Sequence, residues 1–565
     1  MPGFLSSPIS PSSSIGPIKA IKPTKAIGLR IALTALCGIL SAAAALTFVW
    51  ATKEIVDVAT HRPDESFALG TTILILSLAA QLLLGIASRR LSASSTVRFS
   101  NTMRTQLFDR LMRARWTGRD RFHSGESVNR LTTDVGTVSS FYASTVPGCV
   151  TAAVQLLIAF IYLALLSGKM AIAVAAIMPL ALLLSKTFLR TSRRLTREIR
   201  ERESAMYSAL QENLQHRLLI STLRYTAGAV NAFADMQRRF YAATMRRNDI
   251  TLFAGGMVTF GFMAGYAVAF LWCANGLRTG AVTFGVMTAF MQLVAQVQRP
   301  VVDLARKIPL FIQAKVSMER LQDVMQLPVE SVDDQPPLKG RVGVRFRNVT
   351  FRYPDSDKYI LKNFSHDFAP SSLTAVAGET GAGKTTLILL MMGVLTPQEG
   401  SVEIYSEDGE CVESTELTRS NFVYVPQGNT LQSGTVRGNL RIANPEATDA
   451  EMFAALHAAA ADFVKELPLQ LDTPCGERGA GFSEGQAQRI AIARGLLRKG
   501  GVIVLDEPTS ALDAATEKTL MGRLREKAGD RTIIIVTHHD TIITGSESIT
   551  LSPTPAQVPP EAAQP

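Results

Sequence analysis

The stretch Gly378-Glu-Thr-Gly-Ala-Gly-Lys-Thr-Thr386 follows the pattern G-x-x-x-x-G-K-[ST], completed by Lys384 and Thr385. A strand-like run, Leu373-Thr-Ala-Val-Ala377, leads into it, and an apolar run suited to a helix, Leu387-Ile-Leu-Leu-Met-Met392, leads out. That strand–loop–helix context is what a phosphate-binding loop requires. Its glycines let backbone N–H groups curl around phosphate oxygens, and the helix N-terminus adds favourable partial charge. Such a loop puts Lys384 on the β- and γ-phosphates of a nucleotide and Thr385 on Mg2+. A purely structural glycine turn is the plainer alternative, but it explains neither Lys384 nor Thr385 nor the flanking elements.

Downstream, the buried-strand pattern Gly501-Val-Ile-Val-Leu505 ends in Asp506-Glu507. A strand-end Asp can hold Mg2+ through water, and the next Glu can orient or deprotonate an attacking water. Alone, this reads equally well as a strand ending in a solvated acidic turn. Between loop and strand lies Gly481-Phe-Ser-Glu-Gly-Gln-Ala-Gln-Arg489. Here the chain resembles the ATP-binding-cassette (ABC) family, whose signature LSGGQ stands as FSEGQ at 482–486.

The resemblance assigns roles residue by residue. Tyr353, in VTFRYPD, matches the aromatic that stacks on adenine. Gly378, Glu379, Thr380, Gly381, Ala382, Gly383, Lys384, Thr385 and Thr386 match the Walker A loop. Gln427, in YVPQGN, matches the glutamine that reaches Mg2+ and the attacking water. Ser483, Gly485 and Gln486 match the signature that caps the γ-phosphate on the partner chain's nucleotide. Asp506 matches the Mg2+-side Walker B carboxylate, Glu507 the catalytic one, and Ser510-Ala-Leu-Asp513 the D-loop. His538, in IIIVTHHD, matches the switch histidine that senses the γ-phosphate. The resemblance thus implies ATP and Mg2+ as cofactors, with Thr385, Gln427 and Asp506 on the metal. Phe482 and Glu484 depart from the usual Leu and first Gly of the signature, and His539 stands where Arg is common. Phe keeps an apolar anchor, and the Ser and second Gly that meet phosphate are retained.

At 565 residues, the chain is long enough for at least two domains. Hydrophobic residues make up 47% and charged residues only 19%, a membrane-protein balance. Charge is nearly absent from Ile31–Trp50, Phe67–Ser88, Phe141–Ser167, Ala171–Ser185, Leu252–Ala274 and Ala281–Val297. Each run approaches the roughly 20 residues that span a bilayer as a helix. Six membrane helices are therefore expected near 31–50, 67–88, 141–167, 170–189, 251–274 and 281–300.

Orientation follows from the basic residues. Lys19, Lys22, Lys25 and Arg30 precede the first span; Arg89, Arg90, Arg98 and Arg104 follow the second; Arg190, Arg193, Arg194 and Arg197 follow the fourth; Arg299, Arg306 and Lys307 follow the sixth. Both termini and the ATPase domain are expected in the cytoplasm, with the spans in the plasma (inner) membrane if the source is bacterial. Topology also accounts for the net charge of +10, with no need of a nucleic-acid partner. The first 26 residues are Ser/Pro-rich and read as a flexible tail, with no cleaved signal peptide expected. The five cysteines, Cys37, Cys149, Cys273, Cys411 and Cys475, have neither disulfide-framework nor metal spacing.

The charged stretches after the second and fourth spans read as helical, for instance over Arg104–Arg115 and Thr196–Leu214. An arm of about 25 residues each way reaches about 37 Å beyond the membrane. The family's six-helix exporters have such arms with a coupling helix at each tip. The first arm here carries Phe122-His-Ser-Gly125 and Arg130-Leu-Thr-Thr-Asp134, and the second the apolar run Leu218–Leu223. The expected organisation is a tail over 1–26, a transmembrane domain over 27–325, a linker over 326–341, an ATPase domain over 342–552 and a disordered tail over 553–565. One cassette per chain implies dimerisation, with itself or a relative.

The resemblance implies an ATP-driven exporter working by alternating access. A non-transporting regulator or sensor on the same scaffold, or an importer of a metal chelate, are the rival readings. The span centres lack Asp, Glu, Lys and Arg, which points to a hydrophobic or amphipathic substrate – lipid, peptide or drug-like – rather than an ion. Neutral polar groups of the spans include Gln155, Gln292 and Gln296, the last two on one helical face.

Overall fold

The computed structural model describes residues 24–61, 67–116, 124–331, 335–354, 356, 358–379, 381–476, 481–537 and 547–552. The chain divides into two compact units. One comprises the chain up to Phe108 with Gly125–Met325; the other comprises Asp109–Ser124 and the chain from Gln326 onward.

The first unit is helical: α1 (Lys25–His61), α2 (Phe67–Met112), α3 (Ser124–Asn129), α4 (Val135–Ser140), α5 (Val146–Leu166), α6 (Gly168–Gln215), α7 (Arg217–Thr222), α8 (Thr226–Arg278) and α9 (Phe284–Met325). Two π-helical turns, Arg130–Asp134 and Phe141–Thr145, join α3, α4 and α5 into one continuous rod. Among the described residues, four segments are long and apolar enough to cross a membrane: Lys25–Thr60, Phe67–Met112, Gly125–Leu166 and Thr226–Arg278. The run expected near 170–189 lies in α6, where most side chains fall outside the described residues. The run expected near 281–300 lies in α9 but is less apolar than the others. Gln292, Gln296, Gln298 and Arg299 dilute it within about two turns.

Only 6% of the most apolar window of α2 is buried within the protein. Leu76, Leu82, Leu83 and Ile86 face outward. In water such a surface would aggregate; against lipid tails it costs nothing. Inside, α1, α5, α8 and α9 converge on Leu46, Val49, Leu163, Cys273, Phe290 and Leu293, all buried. Further along, the buried Asp134 accepts from Ser317 Oγ at 2.7 Å, and the buried Arg130 pairs with Glu126 at 2.8 Å and donates to the Arg320 carbonyl. The π-helical turn thus supplies the polar groups that fasten the rod to α9.

The second unit has two main sheets. An antiparallel one orders β2 (Leu361–Phe368), β1 (Val342–Phe351), β4 (Glu399–Ser406) and β5 (Cys411–Glu413). A parallel one orders β11 (Glu547–Leu551), β3 (Leu373–Gly378), β10 (Thr532–Val536), β9 (Val502–Asp506) and β6 (Phe422–Val425). A small pair, β7 (Gly434–Thr435) and β8 (Pro474–Cys475), lies apart. The helices are α10 (Lys384–Met391), α11 (Val436–Arg441), α12 (Asp449–Ala458), α13 (Glu484–Leu496) and α14 (Ala514–Ala528). Strands β9 and β10 are buried at every position, which is why they read as unbroken apolar runs rather than alternating ones.

Register brings the motifs together. Val536 of β10 lies opposite Val376 of β3 on one side and Asp506 of β9 on the other. Val425 of β6 lies opposite Leu505. The segments that leave these four strands therefore emerge side by side at the carboxyl edge of a parallel sheet, where α/β folds place their ligands.

The segment 113–116 corrects only the end of the helical reading of Arg104–Arg115, which holds as far as Met112. Helix α2 stops at Met112, and Ala114 pairs with Val329 of the linker as an antiparallel bridge. The Arg115 N–H donates to the Pro328 carbonyl at 2.8 Å and the Glu330 N–H to the Arg113 carbonyl at 2.8 Å. Arg419 holds Glu330 with two bonds of 2.6 and 2.9 Å, and Arg115 reaches Glu416 at 3.2 Å. Linker and segment are thereby tied to the 3-10 turn Glu416–Asn421, which runs directly into β6.

Candidate nucleotide site

The loop after β3 has the backbone its glycines require. Gly378, Gly381 and Gly383 have φ of 151°, 86° and 99°. At Gly378 a Cβ would also stand 2.6 Å from the Leu551 carbonyl oxygen, so both conformation and space demand glycine. Gly383 is the N-cap of α10 and offers no side-chain cap. The first N–H groups of α10 consequently remain available to an anion. Lys384 Nζ folds over the loop and donates to the carbonyls of Gly378 at 2.5 Å and Glu379 at 3.4 Å. Ala382 is buried and Thr385 exposed. Thr380 lies outside the described residues. Thr386 is buried and shares a hydrogen bond of 3.0 Å with the Tyr353 hydroxyl. The Tyr353 ring meets Phe351 edge-on at 5.1 Å.

Asp506 closes β9 and is only 7% exposed. Burial, reinforced by the adjacent Glu507 charge, raises its carboxyl above the usual range; Lys384 and a bond from Tyr424 act in the opposite sense. The Tyr424 phenol is itself pushed up to about 12 by burial and by Asp506. Two neighbouring carboxylates, one buried, form a place that a divalent cation suits. Among the described residues no cluster of three or more His, Cys, Asp or Glu could hold a metal alone. A cation here would take its remaining ligands from phosphate and water, as Mg2+ does in nucleotide sites.

Glu507 is held from several sides. Its φ of 48° is unusual for a residue other than glycine. Its N–H donates to the Val536 carbonyl at 2.9 Å. Its carbonyl accepts from Gln488 Nε2 at 2.6 Å and from Ser510 Oγ at 3.2 Å. Its carboxylate accepts from Gln427 Nε2 at 2.5 Å. Gln427, two residues past β6, and Glu507, just past β9, thus meet directly. Thr537 binds the Val376 carbonyl at 3.2 Å; His538, next in the chain, lies outside the described residues.

Ser483 caps α13. The Gln486 N–H donates to Ser483 Oγ at 3.2 Å, and the Ser483 N–H donates to Gln486 Oε1 at 2.9 Å. A Cβ at Gly485 would lie 2.5 Å from the Ala511 carbonyl oxygen, so this glycine lets the D-loop segment pack on α13. Phe482 packs near Phe463, over which Arg489 stacks at 4.9 Å, so an aromatic fills the place of the usual Leu. Asp513 caps α14, accepting from the N–H groups of Ala515 and Thr516 at 3.1 and 3.0 Å. Among the described residues, no hydrogen bond joins Ser483, Gly485 or Gln486 to the 378–386 loop of the same chain.

Sequence reasoning passed over Gln488. It is 1% exposed, and its Oε1 is buried without a partner among the described residues. The available signal was a lone amide among Ala487, Ile490, Ala491 and Ile492, the buried face of α13. A polar group on such a face must find a partner, and here it finds the Glu507 backbone.

Comparisons with known proteins agree with this geometry. A model of the ABC transporter transmembrane region matches residues 31–301, and a model described as ABC transporter matches 361–510. The chain is 29% identical to a fatty acid ABC transporter ATP-binding/permease protein of Mycobacterium bovis, over 84% of this chain and 75% of that one. It is 28% identical to an ATP-dependent lipid A-core flippase of Bordetella avium, over 79% and 76%. It is 28% identical to the leukotoxin export ATP-binding protein LtxB of Aggregatibacter actinomycetemcomitans, over 87% and 70%. The fold is that of a bacterial Atm1-family ABC exporter solved with ATP bound, at a TM-score of 0.77, 23% identity and 94% coverage of each chain.

Proposed function

This chain belongs to the ABC transporter family, as a transmembrane region joined to a C-terminal ATP-binding domain, and we propose that it exports a hydrophobic or amphipathic molecule such as a lipid, a peptide or a drug-like compound. It is an integral membrane protein and an ATPase coupled to transport, and its half-transporter fold implies dimerisation. In the proposed arrangement both termini and the ATPase domain are cytoplasmic. The substrate class rests on span centres without Asp, Glu, Lys or Arg.

The ATPase reading is carried by one observation above the rest: the 2.5 Å bond between Gln427 and Glu507, beside the loop that presents Lys384. Residues 378–386 cradle the phosphates with backbone N–H groups, and Lys384 leaves the loop carbonyls to neutralise phosphate charge. Thr385, Asp506 and Gln427 would hold Mg2+, which supplies charge neutralisation on the phosphate oxygens. Glu507 takes the proton of the attacking water, with Gln427 orienting its carboxylate and Gln488 fixing its backbone. His538 senses the γ-phosphate. Ser483, Gly485 and Gln486, at the capped N-terminus of α13, face the partner's nucleotide. Closure of two cassettes on ATP and reopening after hydrolysis would drive the spans between inward- and outward-facing forms.

Tyr353 is assigned to adenine through its ring. Its hydroxyl serves Thr386 instead. Tyr353→Ala should weaken ATP binding by about 1–3 kcal/mol, the worth of one aromatic stack. Tyr353→Phe should keep that affinity but lose about 0.5–1.5 kcal/mol of stability with the hydroxyl bond. Nucleotide titration and thermal melting separate the two, and equal losses of affinity would refute stacking.

Export itself is tested in inside-out vesicles with a panel of lipids, apolar peptides and metal ions. ATP-dependent uptake of an amphipathic compound by the wild type, absent in Glu507→Gln, is expected. Uptake of free metal ions alone would contradict the reading.

A further inference from the structure

Two adjoining cavities of 930 and 820 Å3 lie in the first unit and share Gly38, Ser88, Arg89, Thr151, Gln155 and Arg299. They run along α1 from Thr34 to Phe48, about 21 Å of helix. Where they end, the buried cluster around Leu46, Val49 and Phe290 begins. The walls change character along that length.

Three cations line the first cavity: Arg89 of α2 and Arg299 of α9, where the two cavities join, and Lys307 of α9. Among the described residues none of them is ion-paired, although Asp303 lies among them on α9. Lys307 has room because residue 148 is glycine; a Cβ there would lie 2.5 Å from its Nζ. Basic residues that only set topology need to lie beside the membrane, not to line a cavity.

Deeper in, the wall offers Gln81, Gln155, Gln292 and Gln296 beside small residues. Gln296 Nε2 donates to the Ala45 carbonyl at 3.4 Å, yet its Oε1 is buried and has no partner among the described residues. One turn on, Pro300 has no N–H, so the helical bond that would reach the Gln296 backbone carbonyl is missing. The Gln296 side-chain oxygen is thus left for a donor from elsewhere. Leaving such groups unmet is costly, and a ligand that meets them is selected over one that cannot.

We propose that this cavity takes an organic anion that also carries an N–H or O–H donor, its acidic head held by Arg89, Arg299 and Lys307 and its donor by Gln296. This rests on the export reading above and narrows its substrate class: a plain alkyl carboxylate satisfies the cations but not Gln296.

The test uses the full-length protein in nanodiscs and in inside-out vesicles, with four probes of one chain length. These are N-dodecanoylglycine, dodecanoate, dodecyl phosphate and dodecyltrimethylammonium. Equilibrium dialysis should show N-dodecanoylglycine binding tighter than dodecanoate, and the ammonium compound not competing. Arg89→Gln with Arg299→Gln should weaken both carboxylates by about tenfold or more. Arg299→Lys, which keeps the charge needed for insertion, should fall between. Gln296→Leu should abolish the preference for N-dodecanoylglycine over dodecanoate and leave anion selectivity intact. If dodecyl phosphate binds through Arg299 more tightly than dodecanoate, the head is a phosphate; in the reverse order it is a carboxylate; both support the site. Equal binding of the ammonium compound, no anion binding by the wild type, or anion binding untouched by the arginine changes would overturn it. Anion binding without ATP-dependent uptake of any probe would leave the site standing and refute export.

Discussion

Glu507→Gln is expected to bind ATP with near wild-type affinity and to lose turnover by about 10²- to 10⁴-fold, the usual loss for a general base. The amide keeps the shape of the side chain but cannot take a proton. The backbone that presents it stays in place, because Gln488, Ser510 and the Val536 carbonyl all hold main-chain atoms of residue 507. The 2.5 Å bond from Gln427 can be kept by the new amide oxygen. Chemistry should therefore fail while the closed, ATP-bound dimer persists. Single-turnover hydrolysis and nucleotide trapping measure the two halves of that statement. Near-normal hydrolysis would remove Glu507 from its assigned role.

Lys384→Ala should act earlier, on binding. The ammonium rests on the Gly378 and Glu379 carbonyls, so it is already poised over the loop that receives phosphate. A hydrogen bond to a charged group is worth about 1.5–3 kcal/mol. Losing it should weaken ATP by roughly 10- to 150-fold, at tenfold for each 1.4 kcal/mol, and hydrolysis with it. The contrast with Glu507→Gln is the diagnostic: one variant binds without turning over, the other does neither. Isothermal titration at fixed Mg2+ decides it, and unchanged affinity would contradict the assignment.

Much of this was legible in the chain because the informative groups sit where backbone geometry leaves few choices. A loop with positive φ at Gly378, Gly381 and Gly383 can be written in few residue types, so its pattern survives in the sequence. Strands buried on both faces announce themselves as apolar runs, and Asp506 marks where β9 stops. What was not legible depends on partners distant in sequence. The Ala114–Val329 bridge joins two segments with no local signal for a strand, and it ends α2 earlier than helical periodicity suggests. Gln488 lies two residues past the signature, and its partner is the carbonyl of residue 507. The Tyr353 hydroxyl meets Thr386, 33 residues away, with no local signal for the pairing. In α9 the charge-free stretch reads as one more apolar span, and spacing puts Gln292 and Gln296 on one face; the cavity adds that Arg299 lines the same space.

The central claim is that each ATP site is built from two chains, the loop of one and the signature of the other. Mixed dimers of Lys384→Ala and Ser483→Asp chains test it most directly. Asp retains the N-cap that Ser483 gives α13 but sets a negative charge against phosphate. Either variant alone has both sites spoiled. In the mixed dimer one site joins an intact loop to an intact signature, and the other carries both defects. The account predicts that ATPase activity of the purified mixed dimer rises well above that of both parents. Activity no greater than the average of the two parent dimers would contradict it.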